Sequence, residues 1–307
     1  MIPAPFQYHK PTSVAEAAEL LKKHGSDAKI LAGGHSLIPL MKLRLAQPEV
    51  IIDIGAIESM SYIQEREEGI AIGGTTHYVD IANSSTVPKA LSEAAAQVAD
   101  VQVRNRGTIG GSLAHSDPAA DLPAALVALK GQIITSSTNE HRTLESNEFF
   151  QDLFTTALRE DEIISEILIP AESEETGSAY VKFGNKASHY AVVGVAASVT
   201  LTNGKCIEAS IGVTGAGPAA YQASESISEL VGSDLGDGAI EKASAKAGEG
   251  VDFNDDVHAS GEYRAHLVTV FAERAIRLAA SRASLEKTFS KNIQYITGQG
   301  VVYWWRN

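Results

Sequence analysis

Two glycine-rich turns in this sequence carry the residue types that hold anionic cofactors. The first follows a short apolar run and consists of Gly33 and Gly34, with His35 and Ser36 directly after them. Glycine lets backbone N–H groups approach an anion closely, and a hydroxyl group adds a further donor. This turn therefore indicates a phosphate-binding loop, although a glycine pair alone is most often only a turn.

The second stretch, residues 104–122, has a matching glycine turn and adds acidic residues. It reads RNRGTIGGSLAHSDPAADL, so two arginines precede a glycine turn with hydroxyl groups on both sides. Asp117 and Asp121 follow, four residues apart. Carboxylates repel phosphate but accept hydrogen bonds from hydroxyl or ring N–H groups. The two stretches together predict a ligand with a phosphate end and a polyol or heterocyclic end.

Several of these residues also have a plain structural interpretation. Pro123 is tolerated only in a first helical turn, so a helix begins near Asp121, and Asp121 could simply cap it. Lys42 and Arg44 are typical solvated charges, with a role near phosphate as the alternative. A third turn, residues 73–77, could face the same ligand or merely connect a strand to a helix. Only His115 has a spacing that could complete a metal site with Asp117 and Asp121, so no metal site is predicted.

Composition narrows the function further. The chain has 307 residues, is 44% hydrophobic and 21% charged, and has a formal net charge of −13. This charge argues against nucleic-acid partners and anionic membranes. One cysteine, Cys206, cannot hold an iron–sulfur cluster, which needs about four thiolates. With no apolar run of about 18 residues and no signal-like N-terminus, we expect a cytoplasmic protein without a membrane span.

Periodicity predicts two α+β halves. The first begins β-α-β, but its glycine pair lacks the GxGxxG spacing and the following helix of a dinucleotide fold. The second is an antiparallel sheet with helices on one side and an Asn203-Gly204 hairpin turn. The predicted helices are 13–25, 87–98, 119–130, 146–154, 240–247 and 262–283. The predicted strands are 29–32, 50–54, 69–73, 132–135, 162–169, 179–183, 190–202 and 206–214.

The two glycine stretches, in combination, closely resemble the FAD-binding medium subunits of molybdenum hydroxylases, such as carbon monoxide dehydrogenase medium chains and xanthine dehydrogenase flavin domains. The likeness runs from about Pro5 to about Ala283. It implies a FAD-binding domain of the vanillyl-alcohol-oxidase/PCMH type over residues 1–176 and a small α+β flavoprotein C-terminal domain over residues 177–285. Residues 286–307 are then a tail, with Trp304 and Trp305, that has no counterpart.

The resemblance also implies which residues contact FAD. The two pyrophosphate loops correspond to Ala32–Leu37 and Thr108–Ser112, and Asp121 corresponds to the acid that holds flavin or ribityl hydroxyls. Tyr190 matches an aromatic residue beside the isoalloxazine, although His189 precedes it where the family more often has Asp. The implied cofactor-binding set is Ala32, Gly33, Gly34, His35, Ser36, Leu37, Thr108, Ile109, Gly110, Gly111, Ser112, Asp121, Leu168, Lys182 and Tyr190, with no catalytic residue.

The resemblance implies electron transfer, not substrate oxidation, on this chain. A large molybdopterin subunit would oxidise the substrate, and a small subunit with two [2Fe-2S] clusters would relay electrons to FAD and an external acceptor. The expected assembly is a heterotrimer that dimerises. Two alternatives stay open: a stand-alone flavoprotein oxidase, with FAD attached covalently to His35, and an assembly subunit that has lost FAD.

Overall fold

The N-terminal part of the chain is a three-stranded parallel sheet with two helices. The computed structural model describes the backbone of residues 2–297 and the side chains of residues 2–284. The sheet has the strand order β1-β3-β2, and Ala17, Ala18 and Leu21 of the first helix are buried against it. The elements are β1 (Gln7–His9), α1 (Val14–His24), β2 (Ala28–Leu31), α2 (Leu37–Lys42) and β3 (Val50–Asp53).

The first helix has the ends that its sequence predicts. The Ser13 side chain accepts a hydrogen bond of 3.2 Å from the backbone N–H of Glu16, which satisfies one of the free donors of the first turn. Gly25, with φ of +53°, ends the helix, and its N–H donates to the Leu21 carbonyl. The predicted helix over 13–25 is therefore confirmed within one residue at each end.

An antiparallel sheet of five strands forms the centre of the molecule, in the order β4-β5-β10-β6-β7. Helices that connect its strands cover one face and share a large apolar core with it. The strands are β4 (Ile63–Arg66), β5 (Gly69–Gly73), β6 (Gln132–Ser136), β7 (His141–Glu145) and β10 (Ile163–Pro170), with a separate hairpin of β8 (Phe150–Asp152) and β9 (Thr155–Thr156). The helices are α3 (Tyr78–Asn83), α4 (Lys89–Ala96), α5 (Val101–Arg104), α6 (Ile109–His115), α7 (Asp121–Ala128) and α8 (Ser146–Phe149).

The C-terminal part is an antiparallel sheet backed by helices, as predicted, and within the described residues its four strands and three helices are one more of each than the sequence indicated. Asn203 and Gly204 have φ values of +53° and +76° and join two long strands, so the predicted hairpin turn is confirmed. The elements are β11 (Thr176–Gly184), β12 (Ala191–Thr202), β13 (Lys205–Thr214), β14 (Tyr221–Gln222), α9 (Ser224–Leu230), α10 (Asp237–Lys246) and α11 (Gly261–Thr297).

Three local predictions were wrong. A helix, α2, does follow the first glycine turn, and the second glycine turn opens another short helix, α6. Only residues 146–149 of the helix predicted over 146–154 are helical, because the chain then turns into the β8–β9 hairpin. The Trp304–Trp305 prediction lies outside the described residues. The polar segment 171–175 connects β10 to β11, and a domain boundary near Gly177 stays a prediction.

Candidate functional site

The first glycine turn presents a row of unpaired backbone donors. It connects β2 to α2, and its Gly34 has a φ of +78°, a conformation that glycine adopts without strain. Within the described part of the chain, the backbone N–H groups of residues 33–37 donate no hydrogen bond. Adjacent free N–H groups in a turn form an anion-binding surface. The turn can therefore bind a phosphate without losing any bond of its own.

The second glycine turn begins α6 and uses its donors internally. Thr108 is the N-cap, and its Oγ1 accepts a hydrogen bond of 3.3 Å from the Gly111 N–H. The N–H of Gly110 donates to the Gly74 carbonyl at 2.9 Å, and that of Ile109 donates to the Thr76 carbonyl at 3.0 Å. The free donors thus belong to the first turn and the second turn supplies a tightly packed wall, while its part in binding pyrophosphate stays a prediction.

The three glycine turns of the sequence lie against one another. A Cβ on Gly33 would be 2.0 Å from the Arg106 carbonyl oxygen, and a Cβ on Gly110 would be 2.6 Å from the Gly74 oxygen. A Cβ on Gly74 would in turn be 2.2 Å from the Ile164 carbonyl oxygen of β10. These contacts leave no room for side chains, so glycine at these positions brings the loops together.

The turns line one cavity of about 460 Å³, a size typical of small-molecule sites. Nine of the residues predicted to contact FAD line this cavity. Gly111 faces the cavity, and the only atom near a Cβ placed on it would be Thr108 Oγ1, at 2.8 Å. Free donors and this space beside Gly111 fit the pyrophosphate and the chain of a dinucleotide. The nine residues are Ala32, Gly33, Gly34, His35, Ser36, Leu37, Thr108, Gly110 and Gly111.

Asp121 and Lys182 form a buried polar cluster away from this cavity. Asp121 is the first residue of α7, and its carboxylate lies 2.9 Å from Lys182 Nζ of β11 and accepts a hydrogen bond from the Tyr180 hydroxyl. Both charged side chains are 5% exposed. Burial raises the pKa of Asp121 to about 6, and the Lys182 charge and the Tyr180 hydroxyl partly oppose that rise. Lys182 also donates to the Gln97 carbonyl at 2.9 Å.

The other predicted contacts are more scattered. Tyr190 is half exposed and lines a second cavity of about 320 Å³, together with Asp117. Ile109 is 1% exposed and belongs to the core, so only its backbone could reach a ligand. Ser112 follows Gly111 in α6 and lines neither cavity, and Leu168 lies on β10 between β5 and β6 and also lines neither.

Some cavity residues escaped the sequence analysis. His115 and Phe154 line the cavity with their ring centroids 5.0 Å apart, and Phe154 lies at the tip of the β8–β9 hairpin. Tyr78 also lines the cavity, and its ring packs so closely on Gly107 that a Cβ there would be 2.3 Å from it. Tertiary contacts bring these residues together, and no local pattern signals them. Arg104, the first of the two arginines before the second glycine turn, donates to the carbonyls of Val98 and Ala99.

Comparison with known families and proteins gives one consistent result. The model of the FAD-binding domain in molybdopterin dehydrogenase matches residues 4–172, and that of the CO dehydrogenase flavoprotein C-terminal domain matches residues 178–279. The 6-hydroxypseudooxynicotine dehydrogenase complex subunit alpha of Paenarthrobacter nicotinovorans is 38% identical, over 92% of this chain and 97% of the relative. The carbon monoxide dehydrogenase medium chain of Hydrogenophaga pseudoflava is 37% identical, over 92% of this chain and 100% of the relative.

Solved structures agree with the sequence relatives. Carbon monoxide dehydrogenase from Hydrogenophaga pseudoflava, in a form that lacks the Mo-pyranopterin moiety, superposes with a TM-score of 0.88 at 38% identity, over 92% of this chain and 99% of that one. Quinoline 2-oxidoreductase from Pseudomonas putida 86 superposes with a TM-score of 0.85 at 29% identity, over 92% of this chain and 99% of that one. The predicted α+β fold and cofactor are confirmed. This chain therefore belongs to the FAD-binding medium subunits of molybdenum hydroxylases, a family of oxidoreductase subunits.

Proposed function

We propose that this chain is the electron-transfer subunit of a heterotrimeric molybdenum hydroxylase that dimerises. A small subunit with two [2Fe-2S] clusters would supply the electrons, a large molybdopterin subunit would oxidise the substrate, and an external acceptor such as a quinone, NAD or oxygen would remove the electrons. The observation that carries the proposal is the row of free N–H groups at residues 33–37, which meets the second glycine turn at one cavity. Bound FAD supplies the redox chemistry, and the protein supplies its position and surroundings.

The residues of this chain would hold the cofactor at three places. The free donors of Gly33 to Ser36 bind the pyrophosphate, and Gly111 leaves space beside it. Asp121 would accept hydrogen bonds from the flavin or ribityl end. A carboxylate offers about four acceptor positions, and Tyr180 and Lys182 occupy only some of those of Asp121. Tyr190, half exposed, would cover the flavin ring.

The stand-alone oxidase alternative depends on His35. This side chain is exposed, and its Nδ1 lies 3.2 Å from the Gly33 carbonyl oxygen, so Nε2 could be reached by a flavin. An oxidase would also need a catalytic base over the flavin, and the sequence identifies no residue for that role. The free N–H groups of the first turn also argue against a subunit that has lost FAD, because a chain that no longer binds FAD has no need to keep this anion-binding surface.

The test is a visible absorption spectrum of the purified chain, with FAD added if needed, before and after acid precipitation. We expect a flavin spectrum that moves entirely into the supernatant. Flavin in the pellet would indicate a covalent bond to His35 and favour the oxidase, and His35→Ala should then release it. No flavin under any condition would contradict the proposal and favour an assembly subunit. Anaerobic reduction of the assembled complex by its substrate should bleach the flavin band.

A further inference from the structure

Arg264, the fourth residue of α11, has a charged side chain that is enclosed by the C-terminal part of the chain. It is 5% exposed and lines the second cavity, which Tyr190 also lines. Its Nη1 donates to the carbonyls of Val192 and Gly215 at 2.7 Å each, and its Nη2 lies 2.7 Å from a carboxylate oxygen of Asp256. The planar fork of this arginine therefore joins three separate segments at one point.

The contacts of Arg264 compensate only in part for the burial of its charge. Its Nε is buried and has no hydrogen-bond partner among the described residues. The carboxylate of Asp256, which carries the opposite charge, is 44% exposed, so water weakens the attraction of the pair. A buried charge with an unpaired donor costs free energy, so the arrangement that Arg264 fixes explains its presence better than stability does.

Arg264 supports both ends of the loop 185–190, which joins β11 to β12 and carries Tyr190. The carbonyl that Arg264 binds in β12 belongs to the second residue after Tyr190. On the other side, Asp256 accepts a hydrogen bond of 2.8 Å from the His258 N–H, and the His258 ring lies 3.2 Å from the side-chain nitrogen of Asn185. Asn185 closes the loop, since its N–H donates to the Tyr190 carbonyl at 2.8 Å.

Arg264 also supports the turn that precedes Asp121. Gly215, whose carbonyl it binds, donates its own N–H to the Pro118 carbonyl at 2.7 Å. The hydroxyl of Thr214 lies 2.8 Å from the same carbonyl and 2.8 Å from that of the residue directly before Asp121. The end of β13, which Arg264 holds, therefore fixes the backbone from which the Asp121 side chain projects.

The two groups that Arg264 supports lie near each other and near the first cavity. Burial raises the pKa of Tyr190, and the carboxylates of Asp117 and Asp121 raise it further. Burial likewise raises the pKa of Tyr78, which lines the first cavity, to about 12, and the charges of Tyr190 and Asp121 contribute to that rise. Tyr190 and Asp121 are therefore within electrostatic reach of each other and of the cavity that holds the pyrophosphate turn.

We propose that Arg264 is a positioning residue for the flavin end of the cofactor, because it fixes the loop of Tyr190 and the turn before Asp121 relative to each other. The inference rests on the proposed function, in which these two residues contact the flavin end. Among the described residues, no hydrogen bond joins Arg264 or the groups that it binds to residues 33–37. A change at Arg264 should therefore weaken binding of the flavin end and leave binding at the pyrophosphate turn as it is.

The experiment compares the binding of FAD and of ADP to the full-length apo-protein by calorimetric titration. FAD occupies both ends of the site, whereas ADP offers only the adenosine and pyrophosphate end. Arg264→Lys keeps the positive charge but loses the planar fork. Asp256→Asn, at an exposed residue, removes the charge that faces Nη2. Ser226→Ala is the control, since the buried Ser226 hydroxyl donates to the Ala243 carbonyl at 2.6 Å and joins α9 to α10 in the same part of the chain.

We expect Arg264→Lys to raise the FAD dissociation constant about tenfold and Asp256→Asn to raise it about threefold, with ADP affinity unchanged in both. The fluorescence of bound FAD should rise in both variants, because a tyrosine ring against the flavin quenches it. Ser226→Ala should bind both ligands as the wild type does.

Two outcomes would overturn the inference. One is unchanged FAD affinity and fluorescence in both variants. The other is an equal loss of FAD and ADP affinity, which would show a general structural role for Arg264. If Arg264→Lys does not fold, Asp256→Asn decides between these outcomes by itself. A wild type that does not bind FAD would instead refute the proposed function.

Discussion

At the scale of single residues, the glycines of the cofactor turns differ in what a side chain would meet. Gly33 and Gly110 face backbone carbonyl oxygens of neighbouring loops at distances that no Cβ can occupy. Gly111 faces the cavity, and its nearest neighbour is the side chain of its own helix cap, Thr108. The first two glycines therefore serve packing, and the third serves the ligand.

Gly111→Val should weaken FAD binding without unfolding the protein. The branched side chain would occupy the space through which the phosphate approaches the turn, and we expect the FAD dissociation constant to rise by about tenfold or more. Fluorescence titration of the apo-protein with FAD measures this. Gly238→Val is the control, since Gly238 also lies in the first turn of a helix and a Cβ there meets nothing within 4 Å. Unchanged FAD affinity in a folded Gly111→Val protein would remove this glycine from the site.

At the scale of elements, the sequence predicted best where local chemistry decides the structure. The Ser13 cap, the Asn203-Gly204 turn and the helix start at Asp121 were all predicted from residue types, and all are present. The helix α6 was not predicted, because Gly110 and Gly111 are poor helix formers. It forms because Thr108 caps it and the Gly110 N–H is held by the Gly74 carbonyl, a contact between distant parts of the chain.

The cavity was predictable only in part for the same reason. Its glycine walls carry a local signature, but His115 and Phe154 reach it through the fold of α6 and the β8–β9 hairpin. Residues 150–154 of the hairpin were predicted as part of a helix. Phe149 and Phe150 instead pack edge to face, with ring centroids 5.1 Å apart, where helix α8 ends and β8 begins. Tertiary packing decided the structure of this segment.

Gly33→Ala should destabilise the fold, in contrast to the cavity-facing glycine. Its methyl group would be 2.0 Å from the Arg106 oxygen and 2.9 Å from Gly107 Cα, so the first turn must move away from the second. Overpacking of this kind costs about 1–3 kcal/mol of unfolding free energy. Urea unfolding of the apo-protein measures it, with Gly238→Ala as the matched control, since a Cβ at Gly238 meets nothing within 4 Å. A Gly33→Ala midpoint equal to that of the wild type would show that the two turns are not rigidly docked.

At the scale of the whole molecule, one buried and one partly buried polar contact join the cofactor-binding part to the C-terminal sheet. Glu93 of α4 pairs with Arg282 of α11 and accepts a hydrogen bond of 2.9 Å from the Tyr180 N–H of β11. Asp121 of α7 joins Lys182 of the same strand. Because α4 and α7 also pack on this sheet, the two parts share one core, and a change at these contacts acts on the stability of both.

The Asp121–Lys182 contact gives this stability a specific pH dependence. In the unfolded chain Asp121 titrates near 3.8, but burial raises its pKa in the folded protein to about 6. Between these values the folded protein holds a proton that the unfolded chain has lost, so its unfolding free energy falls as the pH rises. One pKa unit corresponds to about 1.4 kcal/mol, so the contribution lost between pH 3 and pH 7 is about 3 kcal/mol.

Asp121→Asn isolates this contribution, because asparagine resembles the protonated acid in shape and stays neutral at every pH. The stability of the wild type minus that of the variant should fall by about 3 kcal/mol as the pH rises from 3 to 7, since the other carboxylates titrate in both proteins and cancel. Urea unfolding at several pH values measures the difference. A difference that instead grows with pH would mean that the attraction of Lys182 outweighs burial and holds the pKa of Asp121 below its usual value. The buried pair would then stabilise the contact between the two parts of the molecule at neutral pH.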